Sequence, residues 1–251
     1  MDNQSDILHN PQFPRANKYD PMWIINNSMG PNVLWLTEFL TQPIKLTPGM
    51  RVLDLGCGKG ISSVFLAKEF GVQVFAVDLW DSPDGKWEQA KTHGAEHLIT
   101  PIHADARKLP FAKGFFDAIL CIDAYMYFGQ EAGYLDYLAQ FLRPDGQIGM
   151  IVPGFMQDVE KGIPTYLSDF LGDELWTWKT LPWWKNLWEQ FNGMSIDVAD
   201  TLENGCALWL RYEEVVNIFG KNPWGDETAI FRQDEGDYIG FVRMAATKKA
   251  V

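Results

Sequence analysis

The stretch Arg51-Val-Leu-Asp-Leu-Gly-Cys-Gly-Lys-Gly-Ile61 constrains this chain more than any other. Arg51 to Asp54 lead with apolar β-formers, Gly56, Gly58 and Gly60 then alternate, and an apolar-periodic segment begins with Ile61, Val64, Phe65 and Ala67. The pattern predicts a strand, a tight loop and a helix. Asp54 interrupts a run that should be buried on both faces, and a buried carboxylate is costly unless something hydrogen-bonds it. Glycines open backbone angles closed to other residues and let a ligand approach the main chain, while the helix behind them starts with free N–H groups. Such a loop is built to hold something.

Spacing narrows what it holds. A dinucleotide loop wants G-x-G-x-x-G, but here the third glycine comes one residue early and Ile61 takes its place, which weakens a pyrophosphate reading. Downstream, Val72 to Asp78 reads as a second buried strand ending in an acid about 20 residues past the loop, where nucleotide-binding units place the acceptor for the ribose hydroxyls; a helix cap is the other reading of Asp78. Ser82 to His93 reads as a helix, and Leu98 to His103 as a third strand closed by Ala104-Asp105-Ala106. Phe115 to Ile122 forms a fourth strand with the exit loop Asp123-Ala-Tyr-Met-Tyr-Phe128. A helix over Tyr134 to Leu142, a turn at Arg143-Pro-Asp-Gly146 and a fifth strand over Gln147 to Val152 follow. Strand and helix alternating at these lengths predict a parallel, doubly wound sheet, whose ligands lie beyond the carboxyl ends of the strands. Asp54, Asp78, Asp105 and Asp123 all fall at or near those ends.

Asp54-Leu-Gly-Cys-Gly-Lys-Gly60, taken with Phe116-Asp117-Ala-Ile and Leu142-Arg-Pro-Asp-Gly146, resembles the class I S-adenosylmethionine-dependent methyltransferases of the small-molecule type, similar to those of ubiquinone and menaquinone biosynthesis. The likeness covers Arg51 to Val152, about two-fifths of the chain. It implies a Rossmann-like, doubly wound α/β sheet of seven strands with the last antiparallel. It also implies S-adenosylmethionine held by Gly56, Gly58 and Gly60 at its methionine end, by Asp78 at the ribose, and by Asp105 with Ala106 at the adenine, with Leu79 or Trp80 packed on the base and Asp54 supporting the loop. For Asp105 the cap of a short turn remains the alternative.

Outside that core, residues 1–45 read as an N-terminal arm and cap helices. Met1 to Tyr19, broken by Pro11 and Pro14, predicts a loosely ordered arm; a helix starts at Asp20-Pro21 and another after Gly30-Pro31. Residues 46–251 form the catalytic-type domain. Within it, residues at about 154–193 carry Trp176, Trp178, Trp183, Trp184 and Trp188 and read either as an aromatic-rich lid over the acceptor or as aromatics closing a core. Met194 to Val198, Leu208 to Phe219 and Tyr238 to Thr247 supply a sixth strand, a helix and a final strand.

Methyl transfer from a sulfonium is an in-line displacement in which the protein aligns the acceptor lone pair and excludes water. Asp123 and Tyr125 are the candidates for positioning the acceptor or removing its proton, with Tyr19 and Tyr127 behind them; packing and surface hydrogen bonding are the other reading of both. The acceptor is expected to be a small apolar, aromatic or amine molecule. A net charge of -12 argues against nucleic acid, and Asp123-Ala-Tyr-Met126 is unlike the proline-rich exit of base amino methylases. His93, His97 and His103 show no metal-ligand spacing. Cys57, Cys121 and Cys206, scattered and odd in number, read as reduced thiols. Met1 to Asn10 lacks the basic and apolar parts of a signal peptide, and no apolar run suits a bilayer, so a cytoplasmic protein without stable membrane insertion is expected. A homo-oligomer is compatible with the sequence. A lipid-modifying relative of the cyclopropane synthases and a non-catalytic, S-adenosylmethionine-binding regulatory protein are the competing readings.

Overall fold

The computed structural model describes residues 7–160, 162–223 and 225–250. In chain order the helices and strands are α1 (Pro21–Asn26), α2 (Val33–Thr41), β1 (Arg51–Leu55), α3 (Ile61–Phe70), β2 (Gln73–Asp78), α4 (Pro83–Thr92), β3 (Ile99–His103), β4 (Phe116–Ile122), α5 (Tyr134–Ala139), β5 (Leu142–Phe155), α6 (Thr165–Leu171), β6 (Lys179–Thr180), α7 (Leu181–Glu189), β7 (Met194–Thr201), α8 (Gly205–Ile218), α9 (Thr228–Asp234) and β8 (Ile239–Lys248). The strands lie in the order β3-β2-β1-β4-β5-β8-β7. The first five are parallel, and β8 runs antiparallel to both β5 and β7, as the expected topology requires. An eighth strand that the sequence did not announce is the two-residue β6, laid beside the end of β5.

Side chains alternate across the sheet as the pleat demands. Val52, Val74, Ala118 and Leu120 face the layer of α2, α3 and α8, whereas Leu53, Val77, Ile119 and Cys121 face the layer of α5 and α7. The predicted turn at Arg143 to Gly146 survives as an excursion inside β5: pairing with β4 jumps from Phe116–Leu142 to Ala118–Gln147, with Asp145 left-handed at φ 60°. Asp20 caps α1 by accepting from Met22 N at 3.0 Å, and Asn32 caps α2 from Leu34 N at 3.1 Å. The two caps leave the connection from Asn27 to Pro31 hanging over the ends of the strands.

One sequence expectation is corrected. The arm is not loose over residues 7–19. Phe13 is fully buried and stacks on Trp35 at 5.7 Å, and the Glu38 carboxylate of α2 accepts from Arg15 N at 3.0 Å and Ala16 N at 2.8 Å. Prolines interrupt helix there, but a buried acceptor supplies the bonds that helix would have supplied. The part of that expectation falling on residues 1–6 lies outside the described residues.

Three of the tryptophans, Trp178, Trp184 and Trp188, take the core reading, while the turn Gly172–Thr177 in the same segment borders the cleft described below. Trp184 and Trp188, one helical turn apart on α7, are buried against Tyr125 at ring separations of 5.6 Å and 5.9 Å. Trp178 packs between Phe155 and Trp209 on the other face. The i, i+4 spacing turns one side of α7 onto the sheet, so these rings complete a core. Replacing Trp184 with Ala is expected to lower the unfolding free energy by about 3–5 kcal/mol, measured by chemical denaturation. Stability unchanged within error would return the segment to a mobile cover.

Candidate active site

The chain runs outward from β1 to β2 and β3, then returns to β4 beside β1. A crevice must open where the winding reverses, and a cleft of about 300 Å³ lies there, within the range of small-molecule sites.

One wall is made by the loops after β1, β2 and β3. Gly56, Gly58 and Gly60 have φ of 73°, 49° and 82°, so the loop needs glycine at each for conformation alone. Space adds to this at Gly56, where a Cβ would stand 2.5 Å from Ala124 Cβ, and at Gly58, where it would stand 2.8 Å from Met29 Sδ. Gly56 N and Cys57 N both donate to Val77 O, at 2.8 Å and 3.2 Å. The Asp78 carboxylate at the end of β2 joins the two loops: one oxygen accepts from Gly58 N at 2.8 Å, the other from Trp80 N at 2.7 Å and Asp81 N at 3.0 Å. Gly56, Gly58, Asp78, Leu79, Asp105 and Ala106 all line the cleft. The cradle without Cβ atoms, a strand-end carboxylate and the volume together fit S-adenosylmethionine.

Asp54 and Gly60 stand behind that wall and do not line the cleft. Asp54 accepts from Ser62 Oγ at 2.7 Å and Ser63 Oγ at 2.6 Å, tying β1 to the first turn of α3. Burial pushes its carboxyl up to about 6 against the downward pull of those two bonds. Gly60 starts α3 and rests against the stem of the buried Lys86, whose ammonium donates to Asp81 O at 2.6 Å.

The opposite wall is built from the exit of β4, the connection between α1 and α2, and the 3-10 turn Gly172–Thr177. Asp123 holds a left-handed φ of 56° and faces the cleft with Ala124, Tyr127 and Phe128. Burial, and then the nearby Glu174 carboxylate, push its carboxyl up to about 8. Tyr127 OH donates to Glu174 Oε2 at 3.4 Å. Tyr125 does not share this site. Its ring is fully buried among Trp184, Trp188, Tyr134 and Phe128, and the phenol is pushed far above its ordinary range by burial. Two residues past Asp123, the short helical turn Tyr125–Tyr127 swings the side chain to the far side of the sheet, so Tyr125 is corrected to a core residue. Tyr19 is likewise remote, stacked on Trp23 and tilted against Phe65.

Sequence reasoning missed Ser28, Arg107, Glu174 and Tyr212, which also line the cleft. A cue existed for the first in Ser28-Met-Gly-Pro31, a punctuated connection; Glu174 and Tyr212 arrive from distant elements and left none. Among the described residues no group of three or more His, Cys, Asp or Glu could hold a metal ion, and no helix is long and apolar enough to cross a membrane.

Asp78→Ala removes charge-assisted bonds to three backbone amides and any bond to a ribose, so S-adenosylhomocysteine affinity is expected to fall by about one to two orders of magnitude in calorimetric titration. For Asp54 and Asp123, both raised, the folded state keeps protons that the unfolded chain has lost. Stability should therefore fall as pH rises from about 4, through about 6 for Asp54 and on to about 8 for Asp123. Asp123→Asn should flatten the upper part of that fall, read from urea midpoints across the range.

The family model for a methyltransferase domain matches residues 52–146. A methyltransferase of Streptomyces halstedii is 26% identical over 163 residues, which cover 63% of this chain and 56% of that protein. The ubiquinone biosynthesis O-methyltransferase of Shewanella halifaxensis is 29% identical over 179 residues, covering 68% of this chain and 71% of that one. The chain thus spans little more than half the length of the Streptomyces relative. Among solved structures, Haemonchus contortus phosphoethanolamine N-methyltransferase 2 in complex with S-adenosylmethionine superposes with a TM-score of 0.75 at 18% identity, over 100% of this chain and 61% of that one. Sequence match and fold agree: residues 52–146 match the methyltransferase-domain family, and the remaining strands complete a sheet of the same fold as the solved methyltransferase.

Proposed function

We propose that the protein transfers a methyl group from S-adenosylmethionine to a small-molecule acceptor. The observation that carries this reading is the division of one cleft into two unlike walls, a glycine and Asp78 cradle on the sheet side and a carboxylate and aromatic wall around Asp123 facing it. When bound, S-adenosylmethionine supplies an activated methyl on a sulfonium. What this chain has to add is modest: Gly56 and Gly58 admit the methionine end, Asp78 takes the ribose hydroxyls, Asp105 and Ala106 border the adenine, and Leu79 or Trp80 covers the base. Asp123, Tyr127 and Phe128 orient the acceptor, and Met29 with the α1–α2 connection narrows the mouth against water. The three free thiols, Cys57, Cys121 and Cys206, are in keeping with a cytoplasmic setting.

The relatives' acceptors differ, as their names say, so the acceptor has to be argued from this cleft alone. Calorimetric titration with S-adenosylhomocysteine, S-adenosylmethionine and reduced nicotinamide cofactors tests the reading. The sulfur nucleosides are expected to bind and the nicotinamide cofactors not; nicotinamide binding alone would overturn it.

A further inference from the structure

Resting on that reading, we propose that the methyl acceptor is a cationic amine, held between the carboxylates of Asp123 and Glu174. The cleft defines the site; the charges on its walls decide what enters. Four carboxylates and two basic side chains, Lys59 and Arg107, line it. Four of these six belong to the cofactor side. Asp78 accepts from three backbone amides and keeps its remaining lone pair for the cofactor side. Asp105 accepts from Arg107 N at 2.8 Å and sits 3.9 Å from the Arg107 guanidinium, which also donates to Tyr127 O at 3.1 Å. Lys59 belongs to the glycine loop, at the methionine end.

Asp123 and Glu174 remain. Among the described residues no hydrogen bond or ion pair reaches the Asp123 carboxylate, and the Glu174 carboxylate accepts only the long bond from Tyr127 OH. The two are close enough for Glu174 to disfavour ionisation of Asp123, and Glu227, also raised, feels Glu174 in turn. Two acids therefore face the acceptor side of the cleft, and among the described residues no ion pair sets a cation against either. Asp123 is half-buried and without a partner while Glu174 reaches solvent at the mouth, and a bound cation is what relieves the cost of a carboxylate placed like Asp123. The neighbouring rings of Trp80, Tyr127, Phe128 and Tyr212 present faces that attract a cation and would pack the rest of the molecule. A phenol or alcohol could donate one hydrogen bond to one carboxylate but would leave the charge of both unneutralised, and an anionic acceptor would meet repulsion. The net charge of -12 draws amines inward from a distance.

The geometry also gives the proton a destination. An ammonium nitrogen has no lone pair, so one N–H proton passes to the Asp123 carboxylate. The freed pair then forms the N–C bond to the methyl group, the S–C bond breaks with its electrons remaining on sulfur, and the sulfonium becomes a neutral thioether. The product is the N-methyl ammonium, still paired with Glu174, and the proton on Asp123 is later lost to water. A carboxyl whose ordinary value has been moved toward neutrality by its surroundings suits that task.

The test uses the full chain loaded with S-adenosylhomocysteine, titrated with benzylamine, phenethylamine, ethanolamine and sarcosine, each beside its hydroxyl isostere. At least one amine is expected to bind where its isostere does not, and to weaken by roughly tenfold or more in Glu174→Gln and in Asp123→Asn. S-adenosylhomocysteine affinity should stay at the wild-type value in both variants. With S-adenosylmethionine in place of the product, mass spectrometry should find the N-methylated amine. Isosteres binding as well as the amines, no amine binding, amine affinity indifferent to both substitutions, or loss of S-adenosylhomocysteine binding in the variants would each overturn the proposal. Failure of the wild-type protein to bind S-adenosylhomocysteine at all would instead remove the methyltransferase reading beneath it.

Discussion

The Asp78 carboxylate is the joint on which the cofactor half of the cleft depends. It receives amides from two loops that belong to different strands, Gly58 from the first and Trp80 with Asp81 from the second. Because a carboxylate accepts several bonds at once, one side chain both closes its own turn and sets the position of a neighbouring one. The glycine loop is tied a second time through Val77 O, and from below by Asp54 through Ser62 and Ser63. Lys86 closes the circuit, packing on Gly60 while donating to Asp81 O. The wall is thus assembled from local bonds before any ligand arrives, which spares the ordering cost that binding would otherwise carry.

That locality explains what could be read in advance. Strand, loop and helix around Gly56 to Gly60 follow from period and glycine spacing over a dozen residues, and Asp78 and Asp105 follow from where buried strands stop. The placement of Asp123 in the cleft rests on the same logic. Tyr125 failed because the direction of a side chain two positions beyond a strand depends on whether the chain continues extended or turns, and here a 3-10 turn intervenes. The tryptophans left two readings open in sequence, and the i, i+4 spacing of Trp184 and Trp188 was the signal that marked these two for a buried helical face. The order of residues 7–19 was beyond any local pattern, because it depends on Glu38, more than twenty positions away.

The facing wall has another origin. Glu174 comes from a 3-10 turn, Tyr212 from α8, and Ser28 to Pro31 from between two N-terminal helices. Only Asp123 and its neighbours follow directly from a strand of the parallel sheet. Asp123 also keeps an uncommon backbone angle, which Asp tolerates better than most residues and which aims its carboxylate inward.

Separate construction of the two walls bears on how such a protein can diverge. The turn at 172–177 and the connection at 27–31 contribute no rung to the sheet ladder, so exchanges there leave the sheet and the Asp78 joint untouched. Gly56 is the exception that couples the halves, since its missing Cβ is what lets Ala124 close against the cofactor loop. Any larger side chain at position 124 would push on that loop. New specificities on this framework would therefore arise by remodelling the turn and the connection while a small residue is held at the seam.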